Sequence, residues 1–96
     1  MNEQEYIVAA FRSRQQVMKF VREMEKMNLK VRVINTPREI AIGCGLSASF
    51  DEKDYDDAKA IVARTHPTAF VGFYRAVAQG VKLIIKPLYK KYELKT

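Results

Sequence analysis

Cysteine and histidine occur once each in this chain, tryptophan is absent, and 96 residues hold only four glycines and three prolines. A single cysteine excludes an internal disulfide framework. One cysteine and one histidine cannot fill the four-coordinate shell of a structural zinc. No carboxylate stands at a ligand spacing from Cys44 or His66, so neither a metal site nor a cofactor is expected. The scarcity of glycine and proline excludes a fibrous chain, and 48% hydrophobic residues exclude a disordered one. Long apolar runs are missing as well. The longest uncharged stretch, Ile40 to Phe50, has eleven residues, whereas a bilayer-spanning helix takes about 20. The opening MNEQEY lacks the basic and then apolar order of a signal peptide. The expectation is a soluble, cytoplasmic chain of single-domain size.

The formal net charge of +6 is unevenly placed. Residues 1–74 hold eleven Lys/Arg against ten Asp/Glu, whereas residues 75–96 hold Arg75, Lys82, Lys86, Lys90, Lys91 and Lys95 against Glu93. A nucleic-acid domain spreads its basic residues over a whole face, and the signature K/R-G-F/Y-G/A-F of RNA-recognition sheets is absent. Tyr6, Phe70, Phe73 and Tyr74 therefore read as core or interface aromatics rather than a base-stacking platform, and nucleic acid is not expected as a partner.

Glu5 to Phe11 is a short apolar run with β-branched and aromatic residues, which predicts a strand. Ser13 with Gln16 three residues on predicts a capping box. Val17, Phe20, Val21 and Met24 follow at helical spacing, giving one buried stripe on a helix that ends near Met27-Asn28. Leu29 to Ile34 alternates, with Leu29, Val31 and Val33 on one face and Lys30 and Arg32 on the other, as a strand with one solvated face does. A further strand is expected from Leu46 to Phe50. Asp51 and Asp54 then open a second helix, with Tyr55, Ala58, Ile61 and Val62 as its buried stripe. Thr65-His66-Pro67 ends it, which leaves His66 as a cation at a helix C-terminus. Ala69 to Tyr74 is a strand. The order β-α-β-β-α-β predicts an α+β, ferredoxin-like two-layer sandwich over residues 1–74.

Residues 75–96 form a C-terminal extension. Val77, Val81, Ile84, Ile85, Leu88 and Tyr92 fall on one arc of a helix with Lys82, Lys86 and Lys90 opposite, and this basic amphipathic helix is the preferred reading. A strand from Val81 that stops at Pro87 is the alternative. Such a helix would dock on an acidic protein, a partner groove or an anionic membrane surface. Alternatively, its apolar side covers the domain's own sheet.

Chemistry concentrates in Thr36-Pro37-Arg38-Glu39 and Gly43-Cys44-Gly45-Leu46. Gly43 and Gly45 leave the Cys44 sulfur unshielded by neighbouring side chains and let amides point toward it. Arg38 is close enough in sequence to stand beside the sulfur if the loop folds back, and a cation there favours the nucleophilic thiolate. The alternative is an inert core cysteine, with Arg38 paired to Glu39 or Asp51. A reactive thiol without a resolving cysteine suits carrying a group, such as a persulfide, rather than disulfide exchange.

The segments EYIVAAF, INTPREI at 34–40 and CGLSASFD at 44–51 resemble the selenium/sulfur carrier-like family of small bacterial domains. The resemblance covers residues 5–74. It implies that Cys44 takes up sulfur or selenium as a persulfide or perselenide, with Thr36, Pro37 and Arg38 shaping its surroundings. Donor and acceptor proteins would then be its partners. The chain reads as a carrier rather than a stand-alone enzyme. The competing reading is a non-catalytic binding or regulatory module that forms a homodimer through its sheet.

Overall fold

A computed structural model of the chain describes residues 5–90. Strand β1 (Glu5–Phe11) leads into helix α1 (Arg14–Lys26), followed by the hairpin strands β2 (Val31–Asn35) and β3 (Leu46–Phe50). A single 3-10 turn (Glu52–Asp54) opens helix α2 (Tyr55–Thr65), and the hairpin β4 (Phe70–Gln79) and β5 (Lys82–Lys90) completes the order. The five strands form one antiparallel sheet in the order β2-β3-β1-β4-β5. Both helices cover one face. This is the expected ferredoxin-like α+β sandwich, with a fifth strand added beside β4.

The expected stripe Val17, Phe20, Val21 and Met24 is the buried side of α1. The Ser13 hydroxyl accepts from the Gln16 N–H, which is one half of the capping box. The other half does not form. The Gln16 amide instead accepts from the Ala69 N–H and donates to the Thr68 hydroxyl, tying the start of α1 to the start of β4. A tertiary contact has won over the local one.

Helix α1 ends in a Schellman motif, with Asn28 left-handed at φ 60° and the Leu29 N–H bonded back to the Met24 carbonyl. That motif consumes Leu29, so β2 begins at Val31 rather than Leu29. The face reading of this strand also needs correction. Leu29 and Val31 pack toward the helices, but Val33 is 40% exposed because β2 is an edge strand. Ile34, on the face expected to be solvated, packs against an apolar cluster there. Asp51 caps the 3-10 turn, and α2 buries Ala58, Ile61 and Val62 as expected. His66 ends α2 in the left-handed region, and Pro67 prevents its continuation.

The helix preferred for the C-terminal extension is not formed: β4 runs unbroken past Tyr74 to Gln79 and turns at Gly80-Val81 into β5. Gly80, at φ 61°, takes the first position of this two-residue hairpin turn. The apolar residues of the strand divide between the two faces: Leu83 and Ile85 pack on one, while Leu88 and Tyr89, at the bulge, pack on the helix side. Leu83, Ile85, Leu88 and Tyr89 thus cover the protein's own sheet, whereas Val81 at the turn is exposed. Nor does the strand stop at Pro87. A proline lacks only an N–H, which an edge strand tolerates, and a bulge at Phe73/Tyr74 re-registers the pairing around it. The expectations placed on Lys91, Tyr92 and Lys95 lie outside the described residues.

The helix-side core centres on Phe73, whose ring meets Phe20, Phe50, Tyr55, Phe70 and Tyr89 at centroid distances of 4.9–6.3 Å. Phe70 and Phe73 are buried among these rings, so they are closed to base stacking. A second buried cluster of Val8, Ala10, Ile40, Tyr74 and Ala76 lies on the other face. No helix among the described residues is long and apolar enough to cross a membrane.

Across the helix layer, Glu23 accepts from Lys26 and from Arg64 of α2, both at 3.0 Å. These bonds, that from Lys26 first, hold its carboxyl below the usual 4.5.

Two outcomes are expected. Phe73→Ala should cost about 3–5 kcal/mol in urea unfolding, since one truncation strips contacts from both helices and the β4–β5 hairpin. Because its folded-state pKa is depressed, Glu23 adds stability above pH 4.5 that is lost as the pH falls through the lower, folded value. Glu23→Gln should therefore be less stable at neutral pH, with the gap closing below pH 4.5. A constant gap in urea titrations across that range would contradict the assignment.

Candidate functional site

The site is built at the end of the sheet where β1 finishes and β3 starts. Asn35 pairs with Leu46, and the Thr36 N–H donates to the Gly45 carbonyl at 2.8 Å, closing a loop of residues 36–45 at its neck. The Thr36 hydroxyl meets the buried Ser47 hydroxyl at 2.7 Å. Ser47 is a residue that sequence reasoning missed. Its only signal was a polar residue alternating with apolar ones in LSASF, a pattern that ordinarily marks a solvated face.

The loop passes from one face of the sheet to the other. Pro37 and Ile40 form a tight turn through the Ile40 N–H to Pro37 carbonyl bond, and Ile40 is buried with Val8 and Tyr74 on the helix-free face. Farther along, the Cys44 N–H donates to the Phe11 carbonyl at 3.1 Å, and the Cys44 side chain packs against the helix-side core. The loop is thereby strapped over the end of β1. Gly43 lies where the strap crosses, and a Cβ there would meet the Phe11 carbonyl oxygen at 3.4 Å. Gly45, at φ 92°, has a backbone conformation that side chains resist.

Thr36, Gly43, Cys44 and Gly45 are thus brought together, and Thr36 acts by closing the neck. Pro37 and Arg38 stand on the turn anchored to the opposite face by Ile40. Arg38 is exposed and, among the described residues, forms no hydrogen bond or ion pair, with Glu39, Asp51 or any other group. Cys44 is a free cysteine and a partly exposed residue; its S–H donates to the Leu46 carbonyl at 3.3 Å. Its hydrogen-bonding surroundings are main-chain carbonyls rather than a cation. His66 caps α2, Met24 is core, and Met18 and Met27 are surface residues of the α1 region. Among the described residues no group of three or more His, Cys, Asp or Glu could hold a metal ion.

The geometry defines a ferredoxin-like sandwich that presents one free cysteine on a closed, glycine-flanked loop. The chain belongs to the family described as "Putative Se/S carrier protein-like", whose model matches residues 5–75. The matched part takes in β1 to the middle of β4 with the whole 36–45 loop, and leaves β5 outside. No curated protein and no solved structure matches the chain.

The Thr36–Ser47 pair is testable by a double-mutant cycle. Thr36→Val keeps the neck's main-chain bond but leaves the buried Ser47 hydroxyl without this partner, at a cost of about 1–3 kcal/mol. Adding Ser47→Ala should recover part of that loss. Strictly additive costs would show that the two hydroxyls are uncoupled.

Proposed function

We propose that the protein carries sulfur or selenium on Cys44 and passes it between donor and acceptor proteins. The observation that carries this reading is the partly exposed free Cys44 on a strapped loop, with no second cysteine in the chain. A lone thiol has no resolving partner for disulfide exchange, but group transfer needs none. Family membership supports the choice of sulfur and selenium as the cargo.

The step balances without an added oxidant. Cys44 loses its proton to solvent and with it the S–H bond to the Leu46 carbonyl. The thiolate then attacks the outer sulfur of a donor persulfide. A new S–S bond forms on Cys44, the donor's own S–S bond breaks, and the donor leaves as a thiolate. An acceptor thiol reverses the exchange, and a perselenide follows the same course with selenium as the outer atom. Gly43 and Gly45 put no side chain beside the sulfur. Arg12 and Arg14, exposed where β1 passes into α1, stand at the same end of the sandwich and suit an acidic rim on a donor or acceptor.

The rival reading is a non-catalytic binding or dimerisation module with an inert cysteine. Two observations favour it: the S–H bond to the Leu46 carbonyl and the packing of Cys44 against the core. Mass analysis after incubation with a protein persulfide donor separates the two. The carrier reading expects a gain of one sulfur atom at Cys44, its release to an acceptor thiol, and no gain in Cys44→Ser. A folded protein that gains no sulfur, from either a sulfur or a selenium donor, is the binding module.

A further inference from the structure

Strand β2 is one edge of the sheet, and no strand among the described residues lies beyond it. One bond at its end tells which of its main-chain groups face outward. The Thr36 N–H donates to the Gly45 carbonyl, so these two residues form a bonded pair across the β2–β3 ladder. Antiparallel ladders alternate bonded and unbonded pairs. Ile34 and Arg32, opposite Ser47 and Ser49, therefore bond inward as well. Val31, Val33 and Asn35 turn their N–H and C=O groups to the open side. Val33, at the middle of this row, is also 40% exposed, on the helix side of the sheet opposite Ala48.

The two edges of the sheet are not alike. Strand β5, the other edge, carries Lys82, Lys86 and Pro87 and a bulge against β4. Lysine, proline and bulges are devices that keep an edge from pairing with another chain. Strand β2 reads VRVIN, with a single charge, no proline and an unbroken register. Of the two edges, β2 is the one left open.

Its sequence suits a copy of itself. In an antiparallel pair with a two-fold axis at Val33, Val31 of one copy faces Asn35 of the other. All three outward residues then bond, and Val33 meets its own counterpart, a β-branched pair that covers both side chains. Arg32 lies opposite Ile34 and Lys30 opposite Thr36, so no like charges face each other. An axis at Arg32 would set the two guanidinium groups against each other and leave Asn35 beyond the other strand's start. An axis at Ile34 would leave Val31 beyond its end. Only the axis at Val33 satisfies the whole edge.

We propose that the protein forms a two-fold dimer through β2, joining two five-stranded sheets into one. The pairing consumes the open edge of both copies and leaves the two guarded β5 edges outermost, so it closes at two. A dimer of this kind is compatible with either reading of Cys44.

The paired segment is short, and small interfaces make transient complexes. Sedimentation of the full chain should show a monomer–dimer equilibrium that moves to dimer between micromolar and millimolar concentration. Val33→Lys puts like charges on the axis and should leave a monomer throughout. Val33→Pro removes an N–H that faces away from β3 and should do the same. Lys86→Ala, exposed on the other edge, should leave the equilibrium unchanged. Cross-linking reads the register in a Cys44→Ser background, where an added cysteine is the only thiol. Val33→Cys brings two Cα atoms to about 5.5 Å across the axis, within disulfide reach. Asn35→Cys, also exposed and on the same strand, leaves them about 14 Å apart. Oxidation should link the first about tenfold faster than the second. Circular dichroism verifies that each variant is folded. A protein that stays monomeric at millimolar concentration overturns the proposal. So does a dimer that survives Val33→Lys and Val33→Pro, that Lys86→Ala weakens equally, or that links Asn35→Cys as fast as Val33→Cys. None of these readouts involves sulfur uptake, so the outcome stands apart from the fate of the carrier reading.

Discussion

The ring of Phe73 is where every layer of this small protein meets. It faces Phe20 of α1, Phe50 of β3, Tyr55 of α2, Phe70 of its own strand and Tyr89 of β5. A domain of this size buries little more than 60% of its unfolded surface, so a shared aromatic centre does work that a larger core would distribute. Edge-on and tilted ring pairs add about 0.5–1.5 kcal/mol each beyond the area they bury. Phe73 thus links the ferredoxin-like body to the added strand: removing β5 would uncover the Tyr89 side of this cluster.

The same packing positions the chemistry. Strand β1 is central in the sheet, and its last residue pairs with Phe70 of β4 while its ring packs against Phe20 of α1. Phe11 uses that position twice. Its ring packs between Phe20 and Phe70, and its carbonyl accepts the Cys44 N–H. The cysteine loop is therefore anchored to the central strand of the sheet, while Thr36 and Ser47 close its neck from below. Ile40 holds the far side of the loop against the other face of the sheet. A ten-residue loop with both sides pinned can hold one sulfur at a defined height above the sheet edge, as compact functional loops do.

How far this was legible in the sequence depends on the range of the forces involved. The α1 stripe was readable residue by residue, because Val17, Phe20, Val21 and Met24 obey a period that only a helix satisfies. Half of the Ser13–Gln16 cap was readable for the same local reason. The other half was lost because Thr68 and Ala69, more than fifty residues away, offered Gln16 better partners. The Cys44 loop was marked by its two glycines, yet the placement of Arg38 was not. That placement depends on Ile40 finding a buried niche between Val8 and Tyr74 on the far face, which no spacing within the loop encodes.

The C-terminal extension separates the two kinds of information most clearly. Taken alone, Val77, Val81, Ile84, Ile85 and Leu88 fit a helical arc, while the β-branched residues and Gly80 equally suit a hairpin. Local propensity does not decide between them. What decided was the unpaired edge of β4, whose N–H and C=O groups needed a partner and whose two faces each offered an apolar cluster to join. A strand meets both demands at once, and an amphipathic helix meets only one. The sequence by itself determined the helices, the four-strand order and the single cysteine between two glycines, because period, caps and composition act over a few residues. Only the tertiary structure decided the fifth strand, the strap over Phe11 and the anchoring of the Pro37–Ile40 turn on the helix-free face, because each rests on hydrogen bonds and burial supplied by residues distant in the chain.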